Sequence, residues 1–86
     1  MMQVRMIIFP CDDGLDVVIW GKWTQGSMRH RHFDDRTCMV NMLESLHLLS
    51  SEDAKKLENF VFIDDCPIYS SEIEEDVLAM HGFVQA

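Results

Sequence analysis

Two histidines one residue apart, His30 and His32 in the run MRHRHFDDR, have the spacing best suited to chemistry in this 86-residue chain. On an extended strand, residues two apart project from the same face, and two imidazoles there can ligate a transition metal. Cys38 or a nearby aspartate is the group available to complete the set. His30, His32 and Cys38 are therefore the candidate metal ligands, and a small metal-assisted hydrolase or redox protein is the catalytic alternative. Against it stands a plainer reading. Two ligands without the spacing of a zinc motif also describe a polar strand edge whose histidines gain charge only at lower pH.

The other reactive side chains are less organised. Cys11, Cys38 and Cys66 form no CxxC, and each reads as a small thiol in or near the interior. A nucleophilic Cys66 would need His47 or His81 as its base, yet both histidines fall near the ends of expected helices, where the helix dipole favours them. The carboxylate pairs Asp12/Asp13, Asp34/Asp35 and Asp64/Asp65 sit at expected turns or helix entrances, where aspartate satisfies backbone amides. Asp12 to Asp16 lacks the ligand spacing of an EF-hand. The glycines form no phosphate-cradling loop, so the sequence carries no cofactor motif.

A recognition role has more support than catalysis. The segment from Lys22 to Arg36, KWTQGSMRHRHFDDR, is rich in cations and aromatics, whereas Asp64 to Asp76 holds carboxylates without Lys or Arg. Trp20, Trp23, Arg29, Arg31 and Phe33 are the expected partner-binding residues, since aromatics anchor a desolvated patch and arginines form directional ion pairs at its edge. Core filling by the aromatics is the competing role. The reading is a non-catalytic protein-interaction or regulatory domain that binds a protein partner or a second copy of itself. In a head-to-tail pair, Glu72, Glu74, Glu75 and Asp76 would supply the complementary acids. The alternative is a binding module for a small acidic ligand, with Arg29 and Arg31 receiving its carboxylate.

The elements that must position these residues are readable from periodicity. Val4 to Phe9 reads as a strand, Cys11-Asp12-Asp13-Gly14 as a hairpin turn, and Asp16 to Trp23 as a second strand. In that strand Val17, Ile19, Gly21 and Trp23 share one face, and Val18, Trp20 and Lys22 the other. Gln25-Gly26-Ser27 turns the chain into a third strand, Met28 to Phe33, with Arg29, Arg31 and Phe33 opposite Met28, His30 and His32. From Asp35 the period becomes helical: Met39, Met42, Leu43, Leu46 and Leu49 form a stripe over about fourteen residues, capped by Asp34 or Asp35. Ser50 or Ser51 starts a second helix, and Val61-Phe62-Ile63 is a short strand or a core plug. A last helix is expected from Ser71, whose spacing to Glu74 is that of a capping box, with Ile73, Val77 and Met80 facing inward. Gly82 ends it and Phe83 packs back. The expected fold is α+β, a small antiparallel sheet of about three N-terminal strands packed against about three C-terminal helices, in a single domain over residues 1–86.

Composition sets the outer limits. The length suits one core, and hydrophobic content of 48% separates the chain from disordered sequences. A net charge of −8 repels phosphate backbones and anionic lipid, which disfavours nucleic acid. Lys55-Lys56 in the second helix share it with Glu52, Asp53 and Glu58, so a helix-turn-helix reader is not indicated. No segment reaches the roughly 20 apolar residues of a bilayer span, and the N-terminal run lacks the features of a signal sequence. With an odd number of scattered cysteines, the expectation is a cytoplasmic protein with reduced thiols and no membrane partner.

Overall fold

The computed structural model describes residues 1–22, 28–63 and 65–85; Trp23, the Gln25-Gly26-Ser27 turn and Asp64 lie outside them. Among the described residues, the backbone hydrogen-bonds into a five-stranded antiparallel sheet of order β4-β1-β2-β3-β5. Its strands are β1 (Met2–Cys11), β2 (Gly14–Gly21), β3 (Met28–Phe33), β4 (Ile68–Ile73) and β5 (Val84–Gln85). Helices α1 (Arg36–Ser45) and α2 (Ser51–Glu58) connect β3 to β4, and α3 (Glu75–Met80) connects β4 to β5.

This arrangement corrects the expectation of a three-stranded N-terminal sheet followed by three helices. The C-terminal third contributes two strands. Residues around Ser71 carry a capping-box spacing, but β1 has an open edge that offers a row of backbone partners, and β4 takes it from Met2↔Ile73 to Ile7↔Ile68. A short local cap signal is outweighed by a continuous ladder and by burial of Ile73. The Ser71 hydroxyl donates to the His47 carbonyl at 2.8 Å and caps no helix. Consequently α3 begins only at Glu75, with Glu74 in its N-cap position. Val61, Phe62 and Ile63 form no strand, and Phe62 meets Phe60 edge-on at 4.8 Å.

The helix ends show why the middle elements stop where they do. Asp35 caps α1 by accepting from the Cys38 amide at 2.9 Å, and Ser50 caps α2 through the Asp53 amide at 3.1 Å. The first helix is ten residues long, shorter than the apolar stripe suggests. His47 takes a left-handed φ of 61°, and the Leu48 amide folds back onto the Leu43 carbonyl at 2.9 Å. Leu48 and Leu49 thus enter the core from the α1–α2 connection. Arg36 at the start of α1 donates to the carbonyls of Leu57, Glu58 and Phe60, closing the end of α2. At the end of α3, Gly82 has φ 81° and the amide of buried Phe83 donates to Leu78 at 3.0 Å, the expected terminating turn.

The strand registers divide the sheet into two unlike faces. Val4, Met6 and Ile8 from β1, Leu15, Val17 and Ile19 from β2, and Phe33 from β3 are buried with the helix residues Met39, Val40, Leu43, Leu57 and Leu78 in one core. The alternate residues, Arg5, Ile7 and Phe9 on β1, Val18 and Trp20 on β2, and Met28, His30 and His32 on β3, project from the other face. Apolar side chains there remain half-buried or, like Met28, exposed.

Candidate metal centre

The β1–β2 hairpin and the end of β3 meet at one rim of the open face. The turn joins Cys11 to Gly14 directly, leaving Asp12 and Asp13 at its tip. Gly14 has φ 151°, and any Cβ there would collide with the Phe33 carbonyl. Glycine is required because the backbones of β2 and β3 approach so closely at this point. That approach carries His32 and Asp34 up to the hairpin tip. The registers Phe9↔Asp16, Cys11↔Gly14 and Asp16↔His32 then place Cys11, Asp16 and His32 at neighbouring positions.

The resulting cluster is dense in ligand atoms. Cys11 Sγ lies 3.5 Å from His32 Nδ1 and 3.7 Å from Asp13 Oδ1, while His32 Nε2 is 3.5 Å from Asp13 Oδ1. One ligand atom from each of Cys11, Asp13 and His32 falls within a mutual separation of 4.8 Å. Zinc bonds of about 2.0–2.3 Å in a tetrahedron hold their donors roughly 3.3–3.7 Å apart; Cys11 faces Nδ1 of His32 and Asp13 faces Nε2, so a small turn of the ring or of Asp13 would bring all three donors onto one ion. Cys11 and His32 are half-buried and Asp13 is exposed, which leaves the cluster open to solvent on one side.

Two more carboxylates fix the imidazole. His32 Nδ1 donates to Asp16 Oδ1 at 3.0 Å, and His32 Nε2 to Asp34 Oδ1 at 3.1 Å. Whichever nitrogen takes a metal, the other has a carboxylate acceptor, the arrangement that orients metal-binding histidines. Asp16 also accepts from His30 Nε2 at 3.1 Å. His30 is thereby tied to the cluster through Asp16, one step away from the three ligands.

The electrostatics follow from this packing. The hydrogen bond to Asp16 raises the His32 pKa, and Asp13 and Asp34 add to the effect against an opposing desolvation. Burial pushes the Asp16 carboxyl up, but the hydrogen bonds from His32 and His30 outweigh it and hold the pKa below its ordinary value. Burial also raises the Cys11 thiol, and the Asp16 charge reinforces it. Without a cation, the Cys11 and His32 shifts favour the protonated thiol and the imidazolium. A divalent ion would displace a proton from each.

The structure distributes the expected site residues unevenly. His30 and His32 share a face as expected, but the thiol beside them is Cys11. Cys38 stands exposed in the first turn of α1, where interaction with Asp35 raises its pKa. Trp20 is half-buried on the open face, and Trp23 is outside the described residues. Phe33 is buried in the core, and Arg29 is buried as well. Arg29 Nη2 donates to Glu75 Oε1 at 2.8 Å, so the acid expected from a second copy is supplied within the chain. Arg31 lies over the Phe33 ring at 4.4 Å and donates to the His81 carbonyl. Arg29 is buried and Arg31 half-buried, each engaged by groups of the same chain.

Sequence reasoning did not single out Cys11 and Asp13 as candidate ligands. The signal was present in two registers: a two-residue turn after Cys11 sets Phe9 opposite Asp16, and Leu15↔Phe33 pairing sets Asp16 opposite His32. The second register rests on a connection whose length does not determine pairing by itself.

The chain matches no protein-family model, and no curated protein or solved structure gives a match. Among the described residues, no helix is long and apolar enough to cross a membrane.

Proposed function

We propose that this protein is a metal-binding domain in which Cys11, Asp13 and His32 hold a divalent transition-metal ion, zinc or a metal of similar preference, at the rim of the open sheet face. The observation that carries this reading is the convergence of a thiol, a carboxylate and an imidazole at ligand-to-ligand spacing. Thiolate and imidazole donors suit zinc and its neighbours, whereas magnesium and calcium take oxygen shells. Three protein donors at a rim open to solvent on one side leave a fourth position for water or a bound molecule, as in reactive zinc sites, where the ion acidifies its water and polarises carbonyl or phosphoryl oxygens. The carboxylate on the nitrogen that stays off the ion, Asp16 at Nδ1 or Asp34 at Nε2, acts behind His32 and holds the ring in its ligating orientation.

Cobalt titration of the metal-free protein, followed by thiolate-to-metal charge-transfer absorption, tests the assignment. The native chain should bind one equivalent. Cys11→Ser should abolish the charge-transfer band, and His32→Ala should weaken binding at least tenfold. Cys38→Ser and Cys66→Ser should bind as the native protein does. A native protein that takes up no cobalt, or a band that survives Cys11→Ser, would refute the assignment. Affinity should rise with pH, because the metal must displace protons held on Cys11 and His32.

A further inference from the structure

Away from the metal rim, the open face carries an apolar strip with charged ends. Ile7, Phe9, Val18, Trp20 and Met28 border a shallow depression across β1, β2 and β3. Ile68 on β4 and Val84 on β5 extend the apolar surface to both edges, 50% and 62% exposed. A soluble sheet rarely leaves so continuous an apolar surface on water unless another surface covers it.

The charges along the strands indicate what covers it. Arg5 stands at one end, paired in register with Trp20 and Ser70, and Lys22 follows β2 at the same end. Among the described residues the Arg5 side chain has no hydrogen-bond or ion-pair partner, and it is exposed. Glu72 lies on outer strand β4 opposite Gln3, and Glu74 at the same end is paired with the N-terminal amine at 3.1 Å. The other end holds Asp13, Asp16 and Asp34 around His32. The face is thus apolar in the middle, cationic at one end and anionic at the other.

We infer that a second copy of this chain covers the open face, packing sheet to sheet about a two-fold axis that runs between the sheets and across the strands. Such an axis reverses strand direction, so the Arg5 and Lys22 end of each copy lies over the aspartate end of the other. Rotation about the strand direction instead would bring like ends together. The paired sheets then form a sandwich with aligned strands and an interior of Ile7, Phe9, Val18 and Trp20 from both copies. Five strands about 4.8 Å apart and about six residues long give a face on the order of 500 Å² per copy. That total is near the ~1,000 Å² lower limit for specific interfaces, so the dimer should be weak and concentration-dependent.

Sedimentation equilibrium tests this on the intact metal-free chain, with chelator present so that the result is independent of the metal site. The native protein should pass from monomer to dimer as concentration rises through the micromolar range, and added salt should weaken the dimer. Val18→Lys, in the middle of the strip and clear of the helix-covered core, should abolish association. Arg5→Glu should weaken it at least tenfold. Circular dichroism of both variants should match the native spectrum, and Ile7→Lys provides a second central variant if Val18→Lys alters it. A native chain that stays monomeric to millimolar concentration, or a dimer indifferent to the central lysine and to Arg5→Glu, would overturn the inference.

Discussion

At the scale of single residues, the chemistry concentrates on His32. Its ring lies between Asp16 and Asp34, with Cys11 beside Nδ1 and Asp13 beside Nε2. Without metal, the His32 and Asp16 shifts both favour an imidazolium paired with a carboxylate. The sign of each contribution to stability is definite. His32 has a raised folded pKa, so its contribution is complete below about pH 6.5 and is lost as pH rises through the folded value. Asp16 has a depressed folded pKa, so its contribution is present above the ordinary carboxyl range and is lost as pH falls through the folded value. Thermal unfolding of chelated protein should therefore show a melting temperature that declines as pH rises past the histidine range, with His32→Gln flattening that limb. An unchanged decline in His32→Gln would assign the effect to other groups. Excess zinc should reverse the alkaline decline, because the ion replaces the proton on the same ring.

At the scale of elements, the hairpin is what builds the site. Gly14 permits the approach to the Phe33 carbonyl, and that approach delivers His32 and Asp34 to the Cys11–Asp13 tip. Gly14→Ala should cost about 1–3 kcal/mol in chemical denaturation, from strain and displaced backbone. It should also weaken metal binding at least tenfold by moving β3 from the tip. Native-like stability and affinity in this variant would show that the close approach does not position the ligands. Much of this level was legible in the sequence. The alternation in Met28–Phe33 correctly put both histidines on one face, Asp35 and Ser50 cap their helices, and Gly82 and Phe83 close the last one. The sheet's full extent was not legible. Ile68–Ile73 alternates as a strand does, but Ser71 and Glu74 imitate a helix start, and only the open edge of β1 decides between them. Two-residue β5 has too little pattern to be read locally. Arg29 looked like a surface charge because its ion-pair partner, Glu75, lies on a helix far along the chain.

At the scale of the whole molecule, the helices cover one face of the sheet, and the Cys11–Asp13–His32 cluster and the apolar strip share the other. Cys11 illustrates why the site was harder to read than the fold. It joins His32 across 21 positions, and both strand registers must be known before their side chains can be placed together. The most direct test of the metal reading is X-ray absorption at the zinc edge of the stoichiometrically loaded protein. One sulfur at about 2.3 Å with nitrogen and oxygen donors near 2.0–2.1 Å, the sulfur disappearing in Cys11→Ser, is the predicted result. A shell of oxygen and nitrogen alone in the native protein, or a sulfur that persists in Cys11→Ser, would contradict the assignment.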